Sequence, residues 1–312
     1  EWSAQCFDYY AEIGRRHSGR VIPSPEASQL SLVMKVPLGV VAAIVPWNYP
    51  LLLLAWKLAP ALAAGNTVVV KPATFTSWST LSFAKLFEDF PPGVINFVTG
   101  PGSQVGDYLV RHPKVRMIAF TGSTEVGQEI MRAAADDIKH VHLELGGKDP
   151  LIVCADADLD AAARAAVWGG FLNAGQVCTS VERVYVEQAV YEPFIEQMVA
   201  LTKSLVLGPG IIERSEVTPM IRAAEREKVD IQVKEAVSKG AQVLAGGQIP
   251  PEIPEGFFYE PTILVDVTDK MEVFTEETFG PVIPVAAVSD FEEAMHKSNQ
   301  SQYGLGATLF TS

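Results

Sequence analysis

Apolar residues along the chain recur in two patterns, short unbroken runs and longer runs with helical spacing. Short unbroken runs are typical of strands that are covered on both faces, and helical spacing is typical of amphipathic helices. In the first half, strands are predicted over 40–45, 67–70, 94–98, 117–120 and 140–145, and helices over 50–64, 81–87, 105–111 and 125–135. Strands that alternate with helices predict an α/β fold with a parallel, doubly wound sheet.

A second α/β pattern begins at residue 150. Its predicted strands are 151–153, 183–186, 242–244, 262–265, 282–288 and 306–310, and its predicted helices are 159–173, 190–205, 223–239 and 291–298. Residues 275–281 are predicted to form a polar loop. The pattern therefore indicates a second domain after the first sheet.

The first residues predict a helix over 3–17, a break over 19–25 and an edge strand over 30–36. The opening helix and the last strand both look cut, so we expect a fragment. The apolar run 38–64 is interrupted by prolines and by Lys57, which favours a buried strand-turn-helix over a membrane span.

Charge and cysteine content narrow the classes of partner. The 312 residues contain 24 Lys and Arg against 37 Asp and Glu, a net charge of −13. Such a chain repels phosphate backbones, so we expect neither nucleic acid nor an anionic membrane as a partner. Cys6, Cys154 and Cys178 are widely spaced, and the histidines lack metal-ligand spacing. We therefore expect a reducing, cytoplasmic compartment, with no disulfide framework and no metal.

Polar residues follow several predicted strands of the first sheet, in segments 46–50, 71–74 and 120–127. Ligands of doubly wound sheets bind at the carboxyl ends of the strands. Gly122 and Ser123 precede a helix, where backbone N–H groups and a hydroxyl can hold a phosphate. Lys71 can reach ribose hydroxyls or can be a solvated charge. Glycines 100, 102 and 106 have the wrong spacing for a dinucleotide fingerprint and carry little weight.

Two residues are candidates for catalysis. Cys178 follows Gly175 and Gln176 among small and amide residues, which suits a reachable thiol with a free backbone N–H. Glu144 lies between two leucines and before two glycines, which suits a carboxylate held in apolar surroundings as a general base. The same residues are also compatible with a small core cysteine and a surface turn, and their occurrence with the polar strand ends favours catalysis.

Six motifs occur here in one order. They are Pro46-Trp47-Asn48, Lys71-Pro72, Phe120-Thr121-Gly122-Ser123, Leu143-Glu144-Leu145-Gly146-Gly147-Lys148, Gly175-Gln176-Val177-Cys178 and Glu276-Glu277-Thr278-Phe279-Gly280-Pro281. Together they resemble the aldehyde dehydrogenase superfamily of the non-phosphorylating, NAD(P)-dependent kind, over essentially the whole chain. Compared with that family, the chain is expected to lack a front segment and a tail.

The resemblance implies a Rossmann-like, doubly wound NAD(P)-binding domain over 37–146. It implies an α/β catalytic domain over 147–312 that is incomplete at its C-terminal side. Residues 1–36 would form a partial N-terminal helix with oligomerisation strands. The implied partners are a small-molecule aldehyde and, at full length, further copies of the chain in a homodimer or homotetramer.

The resemblance also implies residue roles. Cys178 would add to the aldehyde carbonyl, Asn48 and the Cys178 N–H would bind the oxyanion, and Glu144 would activate the water that hydrolyses the thioester to an acid. Lys71 would hold the adenosine-side ribose and Glu277 the nicotinamide-side ribose. The other implied cofactor contacts are Ser123 and Gly122 at the pyrophosphate, Trp47 and Phe279 as walls, and Ile44, Pro46, Thr74 and Leu145. Lys228 is a weaker candidate for a ribose contact.

Two positions depart from common members of the family. Many NAD-preferring members carry a Glu where this chain has Thr74, and a neutral hydroxyl removes a repulsion of the NADP 2′-phosphate. Thr74 can equally be a helix N-cap, so NAD and NADP both stay open. Tyr49 and Trp56 resemble the aromatic residues of betaine-aldehyde and aminoaldehyde members, but Leu172 stands where a third aromatic is common. The cation cage is therefore incomplete, which disfavours an aminoaldehyde.

Two other functions compete with this interpretation. A CoA-acylating dehydrogenase would pass the thioester to CoA, and such relatives generally lack the general-base Glu that Glu144 resembles. A non-catalytic protein could keep the fold for binding alone. The joint presence of Cys178, Glu144, Asn48 and Lys71 argues against that for the full-length protein, whereas it stays open for this segment.

Overall fold

The computed structural model describes residues 1–312, which form two compact units, Glu1–Leu145 and Gly146–Ser312. Each unit has its own parallel-stranded sheet and its own apolar core. Every helix is too short or too polar to cross a lipid bilayer. The predicted α/β class is confirmed.

Twelve helices and strands make up the first unit. They are α1 (Trp2–Gly14), β1 (Arg20–Ile22), β2 (Ser31–Val33), β3 (Val40–Ile44), α2 (Pro50–Ala63), β4 (Thr67–Lys71), α3 (Ser77–Ala84), β5 (Ile95–Phe97), α4 (Asp107–Arg111), β6 (Val115–Thr121), α5 (Thr124–Ala135) and β7 (His140–Glu144). Five of the strands form one parallel sheet in the order β5-β4-β3-β6-β7.

The central strand β3 is covered on both faces. Successive side chains of a strand point to opposite faces. Accordingly, Val41 and Ala43 pack with Leu54 and Leu58 of α2, whereas Ala42 and Ile44 belong to a separate cluster with residues of β6 and α5. Burial on both faces explains why the strand is an unbroken apolar run. The strand order reverses between β3 and β6, where doubly wound sheets bind their ligands.

The structure corrects the prediction near the start of the chain. Residues 19–25 were predicted to be a break, yet β1 pairs antiparallel with β2, with Ile22 opposite Ser31. The predicted strand 30–36 is shortened to β2. Every residue of both strands is exposed, so neither shows the alternation of apolar and polar positions that reveals a half-buried strand.

The second unit contains six strands and five helices. They are β8 (Asp149–Val153), α6 (Leu159–Phe171), β9 (Val181–Glu187), α7 (Tyr191–Ser204), α8 (Ala223–Ser238), β10 (Gln242–Ala245), β11 (Thr262–Val265), α9 (Glu272–Thr275), β12 (Val282–Val288), α10 (Phe291–Asn299) and β13 (Thr308–Phe310). The sheet order is β10-β11-β12-β9-β8-β13. All neighbours are parallel except β10, which runs antiparallel to β11.

Two connecting segments of the second unit carry residues that the sequence predicts to be catalytic or cofactor-binding. The segment between α6 and β9 carries Cys178, and the segment between α9 and β12 carries Glu277 and Phe279. Strand β9 lies between β12 and β8 in the sheet. The Cys178 segment therefore leads into a strand whose neighbour begins just after Phe279.

Candidate active site

The first unit has a cavity of about 730 Å3 that runs between α4 and α5 and reaches the carboxyl ends of β3 and β6. Ile44 at the end of β3 and Phe120 near the end of β6 line it, together with Gly102, Gly106 and Val126. This volume lies in the range of ligand pockets, roughly 300–1,000 Å3. The place, between the two strands where the order reverses, fits a nucleotide.

The cavity gives Gly102 and Gly106 a role that their spacing in the sequence did not indicate. A Cβ at Gly102 would meet only open space, and one at Gly106 would lie 3.8 Å from Lys71 Cδ. Both glycines line the cavity, so the small residues leave room for a ligand. The fingerprint spacing was a poor guide here, because these glycines precede α4 in an irregular turn of their own.

Gly122 and Ser123 form the start of α5. A Cβ at Gly122 would come within 2.4 Å of the Phe120 ring, so a larger residue here would have to displace that ring. The Ser123 hydroxyl caps the helix by accepting a hydrogen bond from Val126 N at 3.4 Å. Because the hydroxyl accepts in this bond, its own O–H group can still donate to an anion at the helix N-terminus.

Lys71, the last residue of β4, and Thr74, three residues later, differ in environment. Lys71 is buried, donates to the Pro72 carbonyl at 2.8 Å, and burial lowers its pKa. Its aliphatic chain runs beside Gly106. Thr74 is exposed and is the first residue of a short turn, whereas Thr76 is the N-cap of α3. The alternative interpretation of Thr74 as an N-cap is therefore wrong.

The segment after β3 places Pro46, Trp47 and Asn48 at the same edge of the sheet, all partly buried. Leu145 follows β7 and packs beneath α5, since a Cβ at Gly127 would lie 2.5 Å from its Cδ2 atom. The predicted cofactor residues of the first unit thus follow adjacent parallel strands.

Glu144 is the last residue of β7. Its side chain is 36% exposed, and its Oε1 lies 3.4 Å from Nε2 of His142, whose side chain is 55% exposed. Glu144 is therefore partly buried, beside an imidazole as well as its leucine neighbours. The leucines on either side point to the opposite face of β7 from Glu144, because neighbouring residues of a strand alternate in direction.

Cys178 lies in a tight turn at the start of β9, closed by a hydrogen bond from Ser180 N to Val177 O of 3.0 Å. The preceding residues are left-handed, with φ of 52° at Asn173, 56° at Ala174 and 71° at Gly175. Left-handed backbone costs roughly 1–2 kcal/mol for each non-glycine residue. The predicted helix 159–173 accordingly ends at Phe171.

Tertiary contacts hold this left-handed turn. Gln176 donates from its side chain to the Asn173 carbonyl at 2.9 Å and accepts from Ile221 N at 2.9 Å. Gly175 lies against the backbone of Gly280, where a Cβ would come within 2.0 Å of the carbonyl oxygen. The position of Cys178 is thus set by segments distant in the sequence.

Burial raises the pKa of the Cys178 thiol. The carboxylates of Glu277 and Asp149 raise the pKa further, while backbone N–H groups of Cys178 and Thr179 lower it. The ground state of the residue is therefore a thiol at neutral pH. A reaction that uses the thiolate needs a proton acceptor.

The Glu277 carboxylate contacts Gly146 and Gly147, the two residues that follow the first unit. Its Oε1 accepts from Gly147 N at 3.0 Å, and a Cβ at Gly146 would lie 2.7 Å from its Oε2. Burial, with a smaller contribution from the Glu182 charge, raises the pKa of Glu277 to about 7. Lys228 donates to the Glu277 backbone carbonyl at 2.9 Å, so it holds the segment.

The buried ion pair Lys148–Glu182 was not predicted from the sequence. Lys148 Nζ lies 2.7 Å from Glu182 Oε2, and both side chains are almost fully buried. The same carboxylate accepts from the backbone N–H groups of Thr278 and Phe279. A charged residue within the apolar strand β9 was the one available signal, and its partners were not readable from local patterns.

Asp149 is a second buried carboxylate near Cys178. It is 6% exposed and accepts from Gly306 N at 3.0 Å. Burial raises its pKa to about 6. One region of the second unit therefore contains Cys178, Glu277, Asp149 and the Lys148–Glu182 pair. The charges of Glu277 and Asp149 both raise the pKa of the Cys178 thiol.

Comparison with known proteins agrees with this arrangement. The model of the aldehyde dehydrogenase family matches residues 1–312. Betaine aldehyde dehydrogenase of Bacillus subtilis is 43% identical over 312 residues, which cover 99% of this chain and 64% of that protein.

Two solved structures are similar throughout. A 3,6-anhydro-L-galactose dehydrogenase in complex with NADP has a TM-score of 0.97 at 42% identity, over 100% of this chain and 66% of its own. An NAD+ complex of aldehyde dehydrogenase from Bacillus cereus has a TM-score of 0.97 at 40% identity, over 99% of this chain and 63% of its own. This chain spans less than two thirds of the length of these relatives. Its sequence and fold make it a member of the aldehyde dehydrogenase family.

Proposed function

We propose that this chain is the greater part of an NAD(P)-dependent aldehyde dehydrogenase that oxidises an aldehyde to a carboxylic acid. The observation that carries the proposal is the Cys178 turn, which a strained backbone and distant contacts hold at the start of β9. Backbone strain of this kind is found where geometry serves function. Family membership supports the same conclusion.

Cys178 would supply the nucleophile. Its S–H proton first passes to solvent water, and the sulfur then adds to the carbonyl carbon, so that the C=O double bond becomes a C–O single bond and negative charge collects on oxygen. We assign the Asn48 side-chain amide and the Cys178 backbone N–H as donors to this oxygen, by the resemblance of Pro46-Trp47-Asn48 to the family. Each pre-aimed donor of this kind is worth about 3–4 kcal/mol in the transition state.

The bound nicotinamide cofactor would accept the hydride from this carbon, which leaves an acyl group on the sulfur of Cys178. We assign Glu144 to take a proton from the attacking water. The water oxygen bonds to the acyl carbon, the C–S bond breaks with its electrons going to sulfur, and the acid departs. The partial exposure of Glu144 supports this role, because a base that serves water needs access to it.

The cofactor contacts are proposals on the same basis. The fit of a nucleotide is supported by the cavity at Ile44 and Phe120 and by the open space at Gly102. We assign Lys71 to the adenosine-side ribose, Ser123 and Gly122 to the pyrophosphate and Glu277 to the nicotinamide-side ribose. Pro46, Trp47, Thr74, Leu145 and Phe279 complete the proposed groove.

The decisive test is reduced-cofactor absorbance on mixing the natural protein with a simple aldehyde and NAD or NADP. We expect turnover, and we expect Cys178→Ala to abolish it, while Cys154→Ala, a buried cysteine outside the proposed chemistry, keeps it. Equal turnover in Cys178→Ala would refute the proposed nucleophile. Acid formation without added CoA would also separate this function from CoA acylation.

We propose that the protein accepts both NAD and NADP. Thr74 is exposed and carries no charge that repels a 2′-phosphate. Related structures hold either cofactor. Thr74→Glu should lower kcat/KM for NADP at least about tenfold through charge repulsion, and the neutral isostere Thr74→Gln should not. An equal loss in both variants would assign Thr74 a purely steric role.

The proposed substrate is an aliphatic or aromatic aldehyde, because Leu172 offers no π face for a cationic amine. A preference for betaine aldehyde over propanal of matched concentration would overturn this choice.

The proposed compartment is reducing and cytoplasmic, since the three cysteines are unpaired.

We also propose that the natural protein is a homodimer or homotetramer. The hairpin of β1 and β2, with its flanks, exposes Val21, Leu32, Met34 and Val36. Exposed apolar side chains on a two-stranded ribbon suit an interface with a second copy. Light scattering coupled to size exclusion checks this, and a monomeric mass at micromolar concentration would refute it.

A further inference from the structure

Glu182 occupies an unusual place for a carboxylate. It is 2% exposed, in the strand that follows Cys178. Its Oε2 accepts from Lys148 Nζ at 2.7 Å and from Thr278 N at 2.8 Å, and its Oε1 accepts from Phe279 N at 2.9 Å. Both oxygens are therefore used, and two of the three donors are backbone groups of the segment 276–281.

Stability alone is a weak explanation for such a pair. Burying two charges costs about as much free energy as their attraction returns, and apolar residues of similar volume often do as well. Apolar side chains, however, cannot accept the N–H groups of Thr278 and Phe279. A buried N–H without an acceptor is costly, so the carboxylate dictates which backbone conformation this segment adopts.

That conformation is an uncommon one. Phe279 has φ of 54°, a left-handed value that bulky residues rarely adopt. Its N–H is held by Glu182, and the Thr278 hydroxyl accepts from Lys148 Nζ at 3.2 Å. The strained residue is thus fixed by the ion pair on the side that faces the sheet.

The same contacts determine where Glu277 points. Its carboxylate reaches Gly147 N, and Gly147 is joined directly to Lys148. Lys148 in turn is held by Arg183, whose Nε donates to the Lys148 carbonyl at 2.8 Å. Adjacent residues 182 and 183 of β9 therefore hold the two backbone segments, 278–279 and Lys148, that flank the contact between Glu277 and Gly147.

We infer that Glu182 is a positioning residue that ties the segment bearing Glu277 and Phe279 to the strand that directly follows Cys178. It touches neither substrate nor cofactor and acts through the backbone N–H groups of residues 278 and 279. The part of this inference that concerns cofactor binding rests on the proposed function. The structural part, the fixing of the segment, stands on the hydrogen bonds alone.

The experiment compares Glu182→Gln with Glu187→Gln in the natural protein. Both residues lie on β9, and Glu187 also accepts a backbone N–H, from Ala155 at 3.0 Å. The control therefore makes the same chemical change at the other end of the same strand. Amide hydrogen exchange without cofactor is measured first, and steady-state kinetics with the cofactor and the aldehyde varied separately follow.

In Glu182→Gln we expect the amides of Thr278 and Phe279 to exchange at least about tenfold faster, because a weaker acceptor permits local opening. We expect KM for the cofactor to rise about tenfold while KM for the aldehyde and kcat change less than about twofold, the pattern of lost ground-state binding. Glu187→Gln should leave exchange at residues 278 and 279 and both KM values unchanged.

A double variant, Glu182→Gln with Lys148→Met, guards against misfolding by an unpaired buried lysine. It should fold and show the same exchange and the same KM pattern. Unchanged exchange at residues 278 and 279 in both variants would overturn the inference, and so would a lower melting temperature with an unchanged cofactor KM. Wild-type protein without turnover would contradict the proposed function, and the exchange result would still decide the positioning role.

Discussion

The turn of Gly122 and Ser123 in the first unit and the Cys178 region of the second unit are built in opposite ways. In the first, Gly122 and Ser123 join a regular strand to a helix, and a serine caps the helix in the ordinary manner. In the second, Asn173, Ala174 and Phe279 adopt left-handed backbone. The first turn follows from local preferences, whereas the second exists only because distant segments hold it.

The difference teaches how binding and catalysis use the chain. A site for a phosphate needs N–H groups that any helix start provides. A nucleophile needs one defined position, and contacts from far along the chain provide that definition at a cost in local strain. Substitutions should therefore be more damaging in the second region than in the first.

The largest effect is expected for Gly175→Ala. Its Cβ would lie 2.0 Å from the Gly280 carbonyl oxygen, so the backbone must shift, and we expect a loss of about 4 kcal/mol or more of unfolding free energy. Gly93→Ala, also left-handed with φ of 87° but without a neighbour within 4 Å, should lose only about 1 kcal/mol. Denaturant titration of both variants measures this, and equal losses would contradict the close approach.

Asp149→Asn tests the buried charge of the same region. The pKa of Asp149 is raised to about 6, so its protonated form stabilises the fold below its unfolded pKa, and this stability is lost as pH rises through 6. The variant should match wild type near pH 4 and exceed it by about 1–2 kcal/mol at pH 8. Urea unfolding at both pH values checks the difference. A variant less stable than wild type at pH 8 would show that the charge is compensated.

Ser123→Ala tests the turn that precedes α5 in the first unit. Losing the hydrogen bond to Val126 N should cost about 1 kcal/mol of stability, as is typical for an N-cap. Ser123→Asp, which restores a capping acceptor, should recover that stability while weakening cofactor binding through charge repulsion at the pyrophosphate. Thermal unfolding and cofactor titration measure the two effects separately. If Asp at this position binds cofactor as well as Ser, the proposed phosphate contact is wrong.

The smallest effect concerns the thiol itself. Removing the Glu277 charge should lower the pKa of Cys178 and speed its alkylation by iodoacetamide at pH 8 about two- to threefold. Glu276→Gln, on the exposed neighbouring carboxylate, should leave the rate unchanged. Mass spectrometry of the Cys178 peptide follows both rates. A slower reaction in Glu277→Gln would contradict the electrostatic effect.

The same contrast explains which features could be predicted from sequence. Strands β3 and β6 and helix α5 are local apolar patterns, and the structure contains them close to their predicted bounds. Cys178 and Glu144 were singled out from their neighbouring residues, Glu277 was identified by resemblance, and the roles assigned to all three stay predictions. Helix α6 was predicted to continue through Asn173, because nothing in that segment announces a left-handed turn.

Contacts between distant residues account for what sequence reasoning missed. Glu182 meets Thr278, which lies 96 residues away in the chain, and no local pattern records such a pair. Glu144 was judged from its flanking leucines, and the nearby imidazole of His142 was not predicted. Gly102 and Gly106 were set aside on spacing, although the cavity is lined by both.

The pairing of Asp149 with Gly306 also sets the earliest time at which this part of the second unit can form on the ribosome. The two residues are 157 positions apart, and β13, which follows Gly306, pairs with β8. At ordinary rates of synthesis, about 5–20 residues per second, β8 waits roughly 8–30 s for that edge. During this interval the edge of β8 that later pairs with β13 stays open, and Asp149 lacks its hydrogen bond from Gly306. The nascent chain is then a natural client for a chaperone.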